Sequence, residues 1–309
     1  MEILSNQVRP PLLSILIPAY GYADGIHRIL DRITNLSPDE CELIVYDDSP
    51  DDEVENVVVR WFKATGALVQ YQRNQPSKGA VANWNALLDS ARGEFCILMH
   101  HDEFPIRDSF IHDLVTTMRQ HPNVDVLMLD CLLFNANNGR NRHHLPHWLR
   151  ALVIKHFQHY LFRRNVIGPT AALVVRRSIY PRFDERLQWL VDVDVYVRML
   201  KLSKRILLCP NIKIGSIMNR TDSITAQIGS SMPQIVKEER AYLSGARGIK
   251  CIWLGSYHQG ESALYWLLSV IETMCWCLMR VATRIVARLT PCPVPLSAAR
   301  RALLARFDF

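Results

Sequence analysis

The chain has 309 residues, 49% of them hydrophobic and 21% charged, which is enough apolar surface for one large α/β domain with an appendage or for two smaller domains. That composition excludes a disordered or fibrous protein. Lys and Arg outnumber Asp and Glu by 36 to 30, a formal charge of +6 that favours anionic partners such as phosphates, anionic lipid or nucleic acid without choosing among them. The eight cysteines form no C-x-x-C pair and have no histidine at zinc spacing, so they read as reduced core residues of a cytosolic protein. Met1 to Pro11 lacks the apolar core of a secretion signal, and nothing in it directs export.

The run Leu12 to Pro18 predicts a buried first strand, followed by a Gly-containing loop and a helix over Ile26 to Ile33. Glu42 to Tyr46 predicts a second strand ending at Asp47-Asp48, Val54 to Ala64 a helix, Ala67 to Tyr71 a third strand and Ala80 to Ala91 another helix. Glu94 to Met99 then delivers His100-His101-Asp102-Glu103 at the end of a fourth strand. Alternating short apolar strands and helices predict a mostly parallel sheet, with ligands beyond the carboxyl ends of its strands. Asp47, Asp48 and the His-Asp-Glu cluster are therefore expected on one rim.

Between Pro146 and Arg164 apolar residues recur at helical spacing with Arg150, Lys155, Gln158, His159 and Arg163 between them, which predicts an amphipathic helix with a basic face. Ser262 to Leu289 is strongly apolar but carries Glu272 and then Arg280, Arg284 and Arg288 in helical register. Its apolar core is short for a spanning helix, so an interfacial helix on a membrane surface is expected, with Tyr265, Trp266 and Trp276 at headgroup level.

Acidic residues at strand ends bind divalent cations, and a cation bridging two phosphates suits a nucleotide leaving group. Asp102 leads as a ligand, with His100 and Glu103 beside it. The same four residues also fit a polar turn capping the next helix, and Asp47-Asp48-Ser49-Pro50 equally fits a turn and cap. Asp192 and Asp194, if helical, point about 200° apart, so that one can face a cleft while the other caps or pairs with Arg198.

Taken in order, these residues resemble family 2 glycosyltransferases over about residues 12 to 225. Ser14 to Tyr20 looks like that family's opening strand, Val45 to Ser49 like the strand whose second Asp contacts the base, and Lys78 to Leu87 like the donor-side helix. Ala91 to Cys96 leads into a motif where D-x-D is usual, but here His100 holds the first position and Asp102 the last. Histidine ligates Mn²⁺ and suits Mg²⁺ less. The resemblance implies a GT-A fold, an open, mainly parallel sheet with helices on both faces over residues 10–235, followed by a helical, membrane-associating region over 236–309.

It further implies donor contacts from Pro18, Ala19, Tyr20, Asp47, Asp48, Lys78, Asn83 and His101, and a Mn²⁺ or Mg²⁺ site at Asp102, His100 and Glu103. Asp192 matches the second acid of the family's E-D pair, with Val191 in place of the first, and is by that match the catalytic base. Asn219 to Thr225 looks like the loop that closes over donor phosphates, with Arg220 toward the diphosphate. The Q-x-x-R-W signature of processive synthases is missing, which implies single additions.

The activity so implied is inverting transfer of one sugar from a UDP-, dTDP- or GDP-sugar to a lipid-linked glycan of bacterial surface polysaccharide, O-antigen or capsule. The expected location is the cytoplasmic side, peripheral on the inner face of the membrane, with an anionic membrane surface and no nucleic acid as partner. Two rivals stay open. A sugar nucleotidyltransferase would need a Gly-rich triphosphate loop, whereas Ala19-Tyr20-Gly21-Tyr22 is poor in glycine; a non-catalytic scaffold is favoured by His100 and Val191.

Overall fold

The computed structural model describes residues 10–248, apart from 34–35, 138, 140, 163, 204, 219 and 221–230, together with 270, 271 and 274. The chain divides between Tyr257 and His258 into two compact units. In the second, the three described residues are helical and Met274 is exposed.

The first unit opens on β1 (Leu13–Ala19), every residue of which is buried. Seven consecutive buried positions require cover on both faces of the sheet, which is why this run is apolar rather than alternating, apart from Ser14, whose hydroxyl donates to Glu42. α1 (Ala23–Leu30) follows, then β2 (Cys41–Asp47), α2 (Glu53–Thr65), β3 (Gln70–Arg73), α3 (Ala80–Ser90) and β4 (Phe95–Leu98). β1 pairs in parallel with β2 and β4, and β2 with β3, so this half follows the predicted alternation. Leu13 faces Cys41 and Ala19 faces Asp47 across the β1–β2 register, which brings the ends of these strands to one rim.

Beyond β4 the expectation of a mainly parallel sheet is corrected. β5 (Glu103–Pro105), α4 (Phe110–Gln120), β6 (Val126–Asn135), β7 (Asn141–His143), β8 (Leu173–Arg176) and β9 (Ile206–Met218) complete a mixed sheet in the order β3-β2-β1-β4-β8-β6-β9-β5, with β7 beside β6. β8 runs antiparallel to both β4 and β6, and β5 antiparallel to β9, while β6 and β9 are parallel. β6 reaches β7 through a short loop, but the connection from β7 to β8 contains the helix His147–His156, and a helix between two strands permits either direction, so the alternation of elements does not by itself fix β8 as parallel.

The basic amphipathic helix expected from Pro146 to Arg164 is also revised. α5 (His147–His156) stops at Phe157 and a 3-10 segment, Gln158–Phe162, continues from it. Arg150 does not face solvent: it is fully buried and donates to the carbonyls of Leu129 (3.0 Å) and Ile167 (2.7 Å). A guanidinium can be buried this way because carbonyl oxygens replace the water it loses. Lys155 and His156 remain exposed, as does Trp148.

α6 (Val191–Leu202) and α7 (Met232–Arg247) close the unit. The boundary expected at 235 falls inside α7, whose Leu243 is fully buried and whose Glu239 and Arg247 bond to residues of the same unit. Cys41, Cys96, Cys131 and Cys209 are buried free thiols, with burial pushing them up to about 12, 12, 12 and 11, so they are inert. The other four cysteines, the segment 221–225 and nearly all of 262–289 lie outside the described residues. Among the described residues no helix is long and apolar enough to cross a membrane.

Gly25 sets the closest approach of a helix to the rim. A Cβ there would lie 2.0 Å from the main-chain oxygen of His101, so only glycine lets α1 pack against the loop after β4. Gly25→Ala is expected to cost ~1–3 kcal/mol of stability by overpacking, measured by urea unfolding.

Candidate active site

The ends of β1, β2 and β4 supply three groups. After β1, Pro18 and Ala19 are buried in the strand and Tyr20 is 56% exposed, so of these three only Tyr20 presents a side chain to solvent. After β2 the two aspartates separate in role. Asp47 is fully buried, accepting from the Ser49 amide (2.8 Å) through one oxygen and from the Tyr71 hydroxyl (2.8 Å) through the other, so it shapes the turn from inside. Asp48 Oδ1 accepts from Asn74 Nδ2 (2.7 Å) and the Lys78 amide (3.2 Å), drawing the loop before α3 onto the rim.

Asn83 is buried as well, donating to the Tyr46 carbonyl (3.0 Å) and accepting from Asn74 (3.1 Å). It ties α3 to β2, with its side chain turned away from solvent. The Lys78 ammonium sits 5.5 Å from the centre of the Tyr46 ring. His101 packs edge-on to Tyr22, and Arg220 lies over the same ring, 3.1 Å from its centre, so Tyr22 joins two expected donor-side residues that lie far apart in sequence.

His100, Asp102 and Glu103 offer ligand atoms that all lie within 4.8 Å of one another. The His100 ring stacks on Trp84 with centres 4.5 Å apart, and its Nε2 is buried without a hydrogen-bond partner among the described residues. Burial lowers His100 to about 4, leaving it a neutral imidazole able to ligate. Glu103 accepts from the amides of His100 (3.0 Å) and Ala171 (3.2 Å) and from the Thr170 hydroxyl (3.3 Å). Burial first, and then the charge of Asp102, push its carboxyl well above the usual range. A neutral imidazole whose Nδ1 lies 3.6 Å from a Glu103 oxygen, with Asp102 in the same cluster, is a donor set that fits a divalent cation, whose charge would also draw the proton off Glu103.

His100 and Glu103 share a cleft of about 450 Å³ with Asp192, and its walls include Trp84, Asn165, Trp189 and Arg240. Asp192 stands in the first turn of α6, where Oδ1 accepts from the Val193 amide and Oδ2 from Asn165 Nδ2, each at 2.8 Å. Burial raises it from 3.8 to about 6 against the pull of these bonds. Asp194 points elsewhere: it is buried and pairs with Arg198 (2.8 Å) and Arg247 (3.0 Å).

Leu190, with no polar side chain, stands at the N-cap of α6, and the capping role falls to Glu239 of α7. Its carboxylate accepts from the successive amides of Gln188 (2.5 Å), Trp189 (3.0 Å) and Leu190 (2.7 Å). Trp84, Asn165, Trp189, Glu239 and Arg240 are not among the residues that sequence reasoning selects. Trp84 carries a signal in Asn83-Trp84-Asn85, an aromatic in the middle of a donor-side helix. Glu239 and Arg240 lie in the segment assigned to a different domain, and nothing local marks Asn165.

A sheet whose β2 and β4 ends carry acidic groups on one rim, with Glu103 sharing a cleft with Asp192, accords with a GT-A-like α/β fold. Residues 14–183 match the profile described as Glycosyl transferase family 2, and the chain belongs to that family. It is similar to the GalNAc(5)-diNAcBac-PP-undecaprenol beta-1,3-glucosyltransferase of Campylobacter jejuni, 26% identical over 113 residues, which cover 37% of this chain and 35% of that one. The chain spans about two thirds or less of the curated relatives it matches. In fold it is similar to S. aureus TarS 1-349 in complex with UDP-GlcNAc, with a TM-score of 0.57 at 15% identity over 76% of this chain and 67% of that one. It also resembles the mannosyltransferase PcManGT from Pyrobaculum calidifontis in complex with GDP-Man and Mn²⁺, with a TM-score of 0.55 at 14% identity over 97% of this chain and 81% of that one.

Two stability effects follow from the site. Between about pH 4 and 6 folded Asp192 keeps a proton that the unfolded chain releases, so stability falls as pH rises through that window. Asp192→Asn is therefore expected to gain on the wild type from pH 4 to 7, by at most ~3 kcal/mol, in urea melts at several pH values. Glu239→Ala leaves three amides uncapped and is expected to cost ~2–4 kcal/mol in the same assay at pH 7.

Proposed function

We propose that the chain is an inverting glycosyltransferase that moves one sugar from a nucleotide-diphosphate donor to an acceptor hydroxyl, with Asp192 as the base. The observation that carries this reading is Asp192 itself, a carboxylate raised to about 6 in the same cleft as the His100 and Glu103 side chains. A base of that strength is ionised at neutral pH, yet holds the proton of an attacking hydroxyl better than an ordinary aspartate. Inversion follows from one in-line displacement with the acceptor on the side opposite the leaving diphosphate.

The donor side is the rim at Tyr20, Tyr22, Asp48, His101 and Arg220. Asp48 holds the loop that the nucleotide meets, and Arg220 on the Tyr22 ring brings positive charge to the diphosphate. Asp102 and His100, with Glu103 behind them, would hold the cation, and the imidazole favours Mn²⁺ over Mg²⁺. Such a cation neutralises the charge that develops on the leaving diphosphate. Trp84 and the Glu103 network keep His100 in place and shield it from water.

For the acceptor we favour a lipid-linked glycan used in surface polysaccharide assembly, O-antigen or capsule. The Campylobacter relative is named for a PP-undecaprenol-linked glycan, and the exposed Trp148, Lys155 and His156 on α5 suit a peripheral position on the anionic inner face of a membrane. The observation favouring a non-catalytic scaffold instead is Glu103, whose carboxyl is occupied by three internal donors.

Thermal melts with UDP-, dTDP- and GDP-sugars, with and without Mn²⁺, separate the two readings. The transferase reading expects one nucleotide class to raise the melting point only with metal, and Asp102→Asn to abolish the metal dependence. Asp192→Asn is expected to keep donor stabilisation while donor turnover drops about 10²–10⁴-fold. Full turnover in that variant would remove the base assignment.

A further inference from the structure

Asp192 has one side-chain partner whose own bonding leaves it no freedom to move. Asn165 sits in the loop between the 3-10 segment Gln158–Phe162 and the turn at Thr170–Ala172. Its Oδ1 accepts from the amides of Ile167 (3.1 Å) and Gly168 (3.0 Å), and its Nδ2 donates to the Gly168 carbonyl (2.9 Å) and to Asp192 Oδ2 (2.8 Å). That uses both acceptor sites and both donor protons of a side-chain amide.

The loop itself is clamped from behind. Arg150 holds the Ile167 carbonyl (2.7 Å) and the Tyr196 hydroxyl donates to the Gly168 carbonyl (3.2 Å). Gly168 takes a φ of +110°, and a Cβ there would meet the His144 ring at 3.3 Å, so the loop fits in this one form. The position of Asn165 Nδ2 is thus set by the buried core rather than by the cleft.

We propose that Asn165 is a positioning residue for the base: its amide fixes the rotamer of the Asp192 carboxylate and stabilises the ionised form that must receive the acceptor's proton. The proposal rests on the reading of Asp192 as the base. The Val193 amide holds one oxygen and Asn165 the other, and the Asp192 amide adds a further backbone bond, so the carboxylate is fixed in orientation with lone-pair capacity left for an incoming hydroxyl. A donor aimed at a half-buried carboxylate opposes the burial that raises its proton affinity, and the Asn165 bond acts in that direction. The other titratable and charged groups around Asp192 are His100 and Glu103 across the cleft, Arg240 from α7, and Tyr196 on its own helix. His144 lies behind the loop.

The test is a carboxyl ¹³C NMR titration of the full chain, with the Asp192 signal assigned by its loss in Asp192→Asn. The wild-type midpoint is expected near 6. Asn165→Ala removes the donor and is expected to raise the midpoint by about one pH unit. Asn165→Asp keeps an oxygen for the Ile167 and Gly168 amides, gives up the bond to the Gly168 carbonyl, which Tyr196 still holds, and puts a second carboxylate against Asp192. There the pair is expected to titrate in two steps, the upper one more than about one unit above the wild-type midpoint.

The acidic limb of donor turnover should move up with the midpoint, while nucleotide-sugar stabilisation in thermal melts stays unchanged. An Asp192 midpoint that stays in place in Asn165→Asp, with the circular dichroism spectrum intact, overturns the proposal. If no protein, wild type included, turns over a nucleotide sugar, the transferase reading fails instead, and the titration still decides the role of Asn165.

Discussion

Glu103 joins the two halves of the catalytic unit. Its buried carboxyl takes the His100 amide from the parallel half, and the Thr170 hydroxyl and Ala171 amide from the turn that starts the antiparallel return. β8 leaves that turn and inserts between β4 and β6, so the point where the sheet changes direction is also the point where the His100, Asp102 and Glu103 cluster is built. An acid with three donors around it in a dry setting is costly to disturb, because each partner would be left unsatisfied. The cleft inherits its shape from this junction: His100 and Trp84 on one side, and the loop carrying Asn165 on the other.

The opposite wall depends on α7. Glu239 binds the three amides that lead into α6, and two turns later Arg247 binds Asp194 and Asp184, so one helix holds the Asp192-bearing helix at two places. The Tyr242 hydroxyl adds a bond to Asp184. α7 lies beyond the segment matched by the family profile, which ends at residue 183, as does α6 with Asp192. The cleft therefore has one wall inside the segment matched by the family profile and another, carrying Asp192 and Arg240, beyond it.

Much of the first half was legible because its physics is local. Mainly apolar runs at Leu13–Ala19 and Cys41–Asp47, each ending in a loop, report strands covered on both faces, and parallel pairing then brings their ends together. The opposite directions of Asp192 and Asp194 follow from helical geometry, and the pairing of Asp194 with Arg198 is the contact that spacing anticipates. Spacing misled where charge was taken for exposure: Arg150 reads as part of a solvated face, yet two carbonyls from distant segments bury it completely.

By itself the sequence determined the strands and helices up to β4, the acidic groups at strand ends and the candidate base, since each depends on residue type and on neighbours a few positions away. Only the tertiary structure decided that β8 returns antiparallel, that Asp47 and Asn83 turn inward while Asp48 stays at the rim, and that Asn165 and Glu239 hold Asp192 and the entry to its helix. Those roles belong to pairs separated by tens of residues, such as Asn165 with Asp192 and Glu239 with Leu190. A hydrogen bond of that kind exists only once the chain has closed on itself, and no local pattern records which distant amide or carboxylate will arrive.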